Sequence, residues 1–312
     1  MYDAMKIIIP WDRLTQTNQD FLNSSCGRMG NLHFREGHDG LVITGSLTKF
    51  FRGNNIDTPS REEYKEILRY FERETSISLK EGHVVSLETG ATIEVENPPS
   101  VYLSSWGTVS NYKKNAVQGR DGCETVMFYN GTRSFSGYDK ARESQKRLHF
   151  MGRKNWIRLE LRNKRKMKAI HGVFPSPWQL AEYEHFKLQA KLWTEFYFSI
   201  PKGSVVDFGS VNLTPSNFLN CLAASAISQI GLDRTDSIIR EQQARGVMTR
   251  SNASRCRNKV KEIHSSEACK PTFNTTELDE KVREIYDTLV VHEEKHGRLV
   301  PSQLPFVDYC AS

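Results

Sequence analysis

The chain has 312 residues, 38% of them hydrophobic, with 16 Phe, 11 Tyr and 5 Trp and a formal net charge of +6 at pH 7. That length admits one large or two ordinary domains, and that aromatic content supplies a core, which excludes a disordered chain. The positive balance favours polyanionic partners, and no apolar run approaches the roughly 20 residues that cross a bilayer.

The six cysteines lie far apart in a sequence without a leader pattern, so reduced thiols and a cytoplasmic location are expected. Cys256, His264 and Cys269 lack the paired CxxC spacing of a zinc site.

In chain order, "MKIIIPWD" reads as a strand and "NLHFREGHDGLVITGSL" as a hairpin that turns at "GHDG". "TPSREEYKEILRYFERE" predicts an amphipathic helix opened by Pro59 and Ser60, with Tyr64, Ile67, Leu68 and Phe71 inward. In "HVVSLETGATIEV", alternation places Val85 and Leu87 on one face and Ser86 and Glu88 on the other. "NPPSVYLSSWG" predicts a short helix opened by prolines.

"ETVMFYNGTRSFSGY" predicts a hairpin about Asn130-Gly131. "NWIRLELRNK" alternates strictly, with Ile157, Leu159 and Leu161 toward a core and Arg158, Glu160 and Arg162 away from it. "SPWQLAEYEHFKLQAKLWTEFYF" reads as one helix with Ser176 as cap and Pro177 at its first position. A linker near Gly203 precedes four further helical stretches and a proline-containing tail.

The expected fold is therefore α+β: a mainly antiparallel sheet with flanking helices over residues 1–203, followed by a smaller all-helical region over 204–312.

Chemistry concentrates in two places. Residues 153–168, "RKNWIRLELRNKRKMK", carry eight Lys or Arg and one acid, Glu160. Such a run is ordinarily a solvated face, and Glu160 could be an ion-pair partner there; a carboxylate among cations also suits a metal ion bound beside a phosphodiester. Tyr138 stands close to Arg133, Lys140 and Arg142, with Asp139 and Glu143 adding carboxylate oxygens. It could be a half-buried packing residue, or a phenol that attacks phosphorus with cations nearby.

"TVMFYNGTRSFSGYDKARESQKR" followed by "NWIRLELRNKRKMKAIHG" resembles the paired blocks of the gene II/X type of phage and plasmid replication initiation proteins. In that family a hairpin ends in Tyr-Asp-Lys with a Glu three residues on, matched by Tyr138, Asp139, Lys140 and Glu143, and a later strand reads Arg-x-Glu-x-Arg, matched by Arg158, Glu160 and Arg162. "GSLTKFFRGNNIDTPSREEYKE" and "WTEFYFSI" are also similar to that family, so the resemblance spans roughly residues 40–200.

The resemblance implies a rolling-circle initiator that nicks and rejoins one DNA strand through a phosphotyrosine link. It implies Tyr138 or Tyr183 as nucleophile, Lys140 steadying charge, and Glu88, Glu160 and Glu143 holding Mg²⁺ or Mn²⁺. Arg133, Arg158, Arg162, Lys164 and Arg165 would grip single-stranded or origin DNA, with host replication proteins as further partners. The helices after residue 204 would read origin duplex or mediate self-association.

Three departures stand out: Ser86-Leu87-Glu88 where the family often has Arg-x-Asp, Met167 where some relatives have Tyr, and no His-hydrophobic-His motif. The alternatives are a non-catalytic DNA- or RNA-binding protein on the same sheet, in which Glu160 only orients Arg158 and Arg162, and a structural protein whose basic face is incidental.

Overall fold

The computed structural model describes residues 1–16, 27–119, 122–145, 154–203, 214–230, 232–265 and 276–296. It is an α+β fold built on a nine-stranded antiparallel sheet with flanking helices, followed by a helical C-terminal region. The strands are β1 (Tyr2–Pro10), β2 (Arg28–Met29), β3 (Leu32–Glu36), β4 (Gly40–Ser46), β5 (His83–Glu94), β6 (Lys113–Gly119), β7 (Gly122–Tyr129), β8 (Arg133–Asp139) and β9 (Trp156–Asn163). Their order across the sheet is β2-β3-β4-β1-β5-β9-β8-β7-β6.

The chain divides into two compact units: residues 1–89 with 165–192 and the segment from Arg283, and residues 90–164 with 193–282. In the first, β1 pairs with β4 from Ala4↔Ser46 to Pro10↔Gly40, burying Met5, Ile7, Ile9, Leu41 and Ile43. Helix α1 (Leu47–Arg52) follows β4 directly, and α2 (Arg61–Thr75) starts at Ser60, whose hydroxyl accepts from the Glu63 amide. Tyr64, Ile67, Leu68 and Phe71 of α2 are all buried, as their spacing predicts.

Two β-bulges distinguish β1 and β5 from simple alternation. Met5↔Leu87 and Lys6↔Ser86 are followed by Ile7↔Val84, so Val85 is an extra residue and Val84, not Val85, joins Leu87 in the core. The alternation expected for Val85 fails because the inserted residue reverses the phase on one side of it. At the other bulge, between Tyr2↔Thr89 and Met5↔Leu87, Asp3 and Ala4 together stand opposite Glu88.

In the second unit, β6, β7, β8 and β9 pair in sequence, and the hairpin at Asn130 forms with its side chain accepting from the Thr132 and Arg133 amides. Short helix α3 (Pro99–Ser104) and Trp106 pack on one face of these strands, where Phe128, Phe135, Leu159 and Leu161 are fully buried. Gly137 belongs to this face; a Cβ there would stand 2.3 Å from Trp106 Cη2.

Helix α4 (Lys140–Gln145) follows β8, and α5 (Met167–His171) follows β9. The helix expected from Ser176 onward is broken into α6 (Pro177–Leu180), opened by a full capping box at Ser176 and Gln179, and α7 (Tyr183–Ser199). Tyr2 Oη donates to the Leu180 carbonyl at 2.9 Å, taking an acceptor that a continuous helix would have used. Beyond the linker lie α8 (Pro215–Ile230), α9 (Leu232–Ala244), α10 (Arg250–Ser265) and α11 (Thr276–His296).

Cys123, Cys221 and Cys256 are free thiols; Cys26, Cys269, Cys310 and the proline-containing tail lie outside the described residues. Among the described residues, no helix is long and apolar enough to cross a membrane.

Candidate active site

The register of β6 to β9 fixes what shares a face, because directly opposed residues on neighbouring antiparallel strands point the same way. One row reads Val117, Thr125, Tyr138, Arg158; the next reads Asn115, Met127, Ser136, Glu160; the third reads Lys113, Tyr129, Ser134, Arg162. This face is opposite the one covered by Trp106. Val117, Met127, Tyr129 and Arg162 are exposed on it, so apolar, aromatic and cationic groups lead from solvent to the Tyr138 and Glu160 positions.

At the inner end, Tyr138 Oη donates to Glu160 Oε1 at 2.9 Å, and Arg158 Nε donates to the same oxygen at 3.1 Å. Arg158 Nη1 also donates to Thr92 Oγ1 at 3.1 Å, and the residue is only 2% exposed. Burial first, then the Glu160 charge, push the Tyr138 phenol far above its ordinary value of 10.0, against a smaller downward pull from Arg158. The hydroxyl is thus a protonated donor aimed at a carboxylate.

The Tyr138 to Glu143 block has a local explanation. Asp139 Oδ1 accepts from the Arg142 amide at 2.9 Å, which is how an N-cap begins a helix, so Asp139 starts α4. That start brings Lys140 and Glu143 together at 2.8 Å on one side of the helix. Lys140 is 3% exposed, with its ammonium 5.9 Å from the Tyr138 ring centroid. Arg142 pairs with Glu124 of β7 at 2.8 Å.

In the first unit, one carboxylate oxygen of Asp3 and one of Glu88 lie within 4.8 Å of each other, and both residues are buried. Asn55 Nδ2 donates to Asp3 Oδ2 at 2.8 Å. Of the expected ligands, Glu88 stands in this pair, Glu160 accepts from Tyr138 and Arg158 in the second unit, and Glu143 pairs with Lys140. Carboxylate oxygens are hard donors, of the kind that suits Mg²⁺ or Mn²⁺ rather than a softer metal.

Asp3 did have a signal in the sequence. It shares the odd-numbered phase of Met5, Ile7 and Ile9, and a carboxylate in a core phase marks either a site or a break in register.

The other expected residues are distributed more widely. Tyr183 Oη donates to the Val290 carbonyl at 3.3 Å, and its ring lines a cavity of about 570 Å³ with Arg61, Lys65, Lys80 and Trp178. Arg133 Nε donates to Asn163 Oδ1 at 2.7 Å, bracing β8 against β9. Arg162, Lys164 and Arg165 are exposed, in contrast to Arg158.

The chain matches no protein-family model and no curated protein.

Proposed function

We propose that the protein nicks and rejoins single-stranded DNA, with Tyr138 as nucleophile. The observation that carries this reading is the Tyr138 hydroxyl held 2.9 Å from Glu160 Oε1, at the end of an open sheet face edged with cations. In the forward step Tyr138 Oη bonds to phosphorus and passes its proton to the Glu160 carboxylate. The P–O3′ bond breaks, the 3′ oxygen leaves and takes up a proton, and the 5′ phosphate remains esterified to the tyrosine. Rejoining is the reverse, with the 3′ hydroxyl attacking and the phenol departing.

Glu160, with Tyr138 and Arg158 beside it, would help hold Mg²⁺ or Mn²⁺, which when bound supplies a Lewis acid that polarises a phosphoryl oxygen and offsets carboxylate charge. Arg158 positions Glu160, and the Lys140 ammonium beside the Tyr138 ring favours phosphate approach. Arg162 and Lys164 supply exposed cations for the strand, while Tyr129 and Met127 offer surfaces on which bases stack or pack.

A second reading draws support from the raised phenol and the buried Arg158: a non-catalytic single-strand binder that uses the same face. The test mixes the protein with end-labelled, denatured genomic DNA from its source, with Mg²⁺, with Mn²⁺ or with EDTA, and looks for label on the denatured protein. The nicking reading expects a metal-dependent covalent adduct that Tyr138→Phe removes while strand binding persists. Salt-sensitive binding with no adduct under either metal would sink it and leave the binder.

A further inference from the structure

Helices α8, α9 and α10 pack into a three-helix group of their own. Cys221, Ala224 and Ile227 of α8 meet Ile263 of α10, flanked by Val260, and Ile239 of α9 and Ala253 of α10 are also buried. The turn between α9 and α10 is sharply defined. Gly246, at φ 72°, ends α9 in the left-handed conformation; its amide donates to the Gln243 carbonyl at 3.1 Å and the Val247 amide to the Gln242 carbonyl at 3.1 Å. This is the paired closure of a Schellman motif. Thr249 then caps α10, its hydroxyl accepting from the Asn252 amide at 3.3 Å. Two helices joined by a short glycine-bearing turn, with a third helix packed on both, have the connectivity of a helix-turn-helix.

The second helix of the pair carries its charge on the outside. Across Arg250–Ser265 there are five Lys or Arg and one acid, Glu262. Ala253, Val260 and Ile263 turn inward, while Arg250, Ser251, Asn252, Ser254, Arg255, Asn258 and Lys259 are exposed. Arg and Asn are the side chains that pair with the major-groove edges of guanine and adenine. At the turn, Arg240, Arg250 and Arg257 line a cavity of about 590 Å³ with Gln243 and Ala244. Asp236 bridges Arg240 at 2.6 Å and Arg257 at 2.9 Å, so one acid holds two of the three cations in place and leaves the cavity net positive.

We propose that α8 to α10 form a helix-turn-helix unit that seats α10 in the major groove of duplex DNA, with Arg255 and Asn258 toward base edges and Arg250 on a phosphate. Duplex DNA is favoured over duplex RNA because the B-form major groove admits a helix, whereas the A-form groove is too deep and narrow for side chains to read. A second copy of the chain is a poorer occupant, since facing two such surfaces opposes like charges; the large apolar residues exposed in this group, among them Leu219 and Leu222 of α8, Ile238 of α9 and Val247 of the turn, lie off α10. The inference does not depend on the nicking chemistry.

The test incubates full-length protein with duplexes carrying a randomised central segment, sequences those retained, and measures affinity for the selected duplex and for a scrambled one. The proposal expects an enriched motif. It expects Arg255→Ala to lose roughly 5- to 100-fold on the selected duplex and to relax one position of the motif. Arg250→Ala should weaken both duplexes alike and make the salt slope shallower by about 0.9. Both residues are exposed, so unchanged thermal melts and unchanged adduct formation with single strands should accompany these losses. The proposal is overturned if no duplex is enriched, or if the variants lose self-association while duplex affinity stays at the wild-type value.

Discussion

Two stretches of this chain look alike as text and differ as structure. Both "RKNWIRLELRNKRKMK" and "RSNASRCRNKVK" are dense in cations with hardly an acid between them. On β9 the strand period sends Arg158 and Glu160 to one face, and the pairing with β8 folds them into a buried network with Tyr138. On α10 the helical period turns the apolar minority inward and leaves Arg250, Arg255 and Lys259 in solvent. In the first stretch Arg158 is spent on holding a carboxylate in place while Arg162, Lys164 and Arg165 stay exposed, and in the second Arg250, Arg255 and Lys259 all face solvent. Charge density in a sequence therefore reports possible partners only after the period has been assigned.

The comparison breaks most visibly at Tyr138. Tyr138→Phe keeps the ring and its packing and removes the one atom that can be esterified, so covalent adduct should fall by about 1,000-fold or more, read on a denaturing gel. Loss of strand binding in place of adduct would move the residue to the binding surface.

Glu160→Gln sharpens the same boundary. Removing the charge that Tyr138 and Arg158 share should cost about 100-fold or more in metal-dependent cleavage, while strand affinity, measured by fluorescence anisotropy, should hold or rise. Cleavage at the wild-type rate would return Glu160 to the role of an ion-pair partner.

Gly137 tests whether the face beneath is as tightly packed as the distances say. Gly137→Ala places a methyl against Trp106, and the expected loss is about 1–3 kcal/mol by denaturant unfolding. An unchanged midpoint would mean that the ring shifts freely.

The smallest effect concerns pH and belongs to neither cationic stretch. His171 Nδ1 shares a hydrogen bond with His185 Nδ1 at 2.7 Å, and burial, then the neighbouring ring, lower its pKa to about 4 from 6.5. A base depressed in the folded state contributes stability above its unfolded value and loses it as the proton binds. The melting temperature should therefore decline between pH 6.5 and 4, and less steeply in His171→Gln.

Much of this was readable in advance, for reasons that the structure makes plain. The core face of α2 and the alternation of β9 each depend on one local period, and nothing in the tertiary structure overrides either. Where a local period was interrupted, reading stopped: Val85 is a bulge, and α6 and α7 part where Tyr2 takes the Leu180 carbonyl. Strand β6, "KKNAVQG", gave no alternation because it is exposed almost throughout at the sheet edge, where lysines also discourage further pairing. The site was half legible. Tyr138 and Glu160 stand out by residue type, but their contact depends on the β8 to β9 register, set by pairing between segments separated in sequence. In the first unit, Asp3 meets Glu88 through a bulge that opposes two residues of β1 to Glu88 alone.

The central claim is that Tyr138 is the residue that carries the DNA. Adduct formed with Mg²⁺ or Mn²⁺ on end-labelled single strands can be digested with nuclease and protease, and the nucleotide-bearing peptide sequenced by mass spectrometry. A phosphonucleotide on Tyr138, absent with EDTA, is the predicted result. A peptide labelled at Tyr183 or elsewhere, with Tyr138 unmodified, would contradict the account and detach the Tyr138 to Glu160 pair from the chemistry.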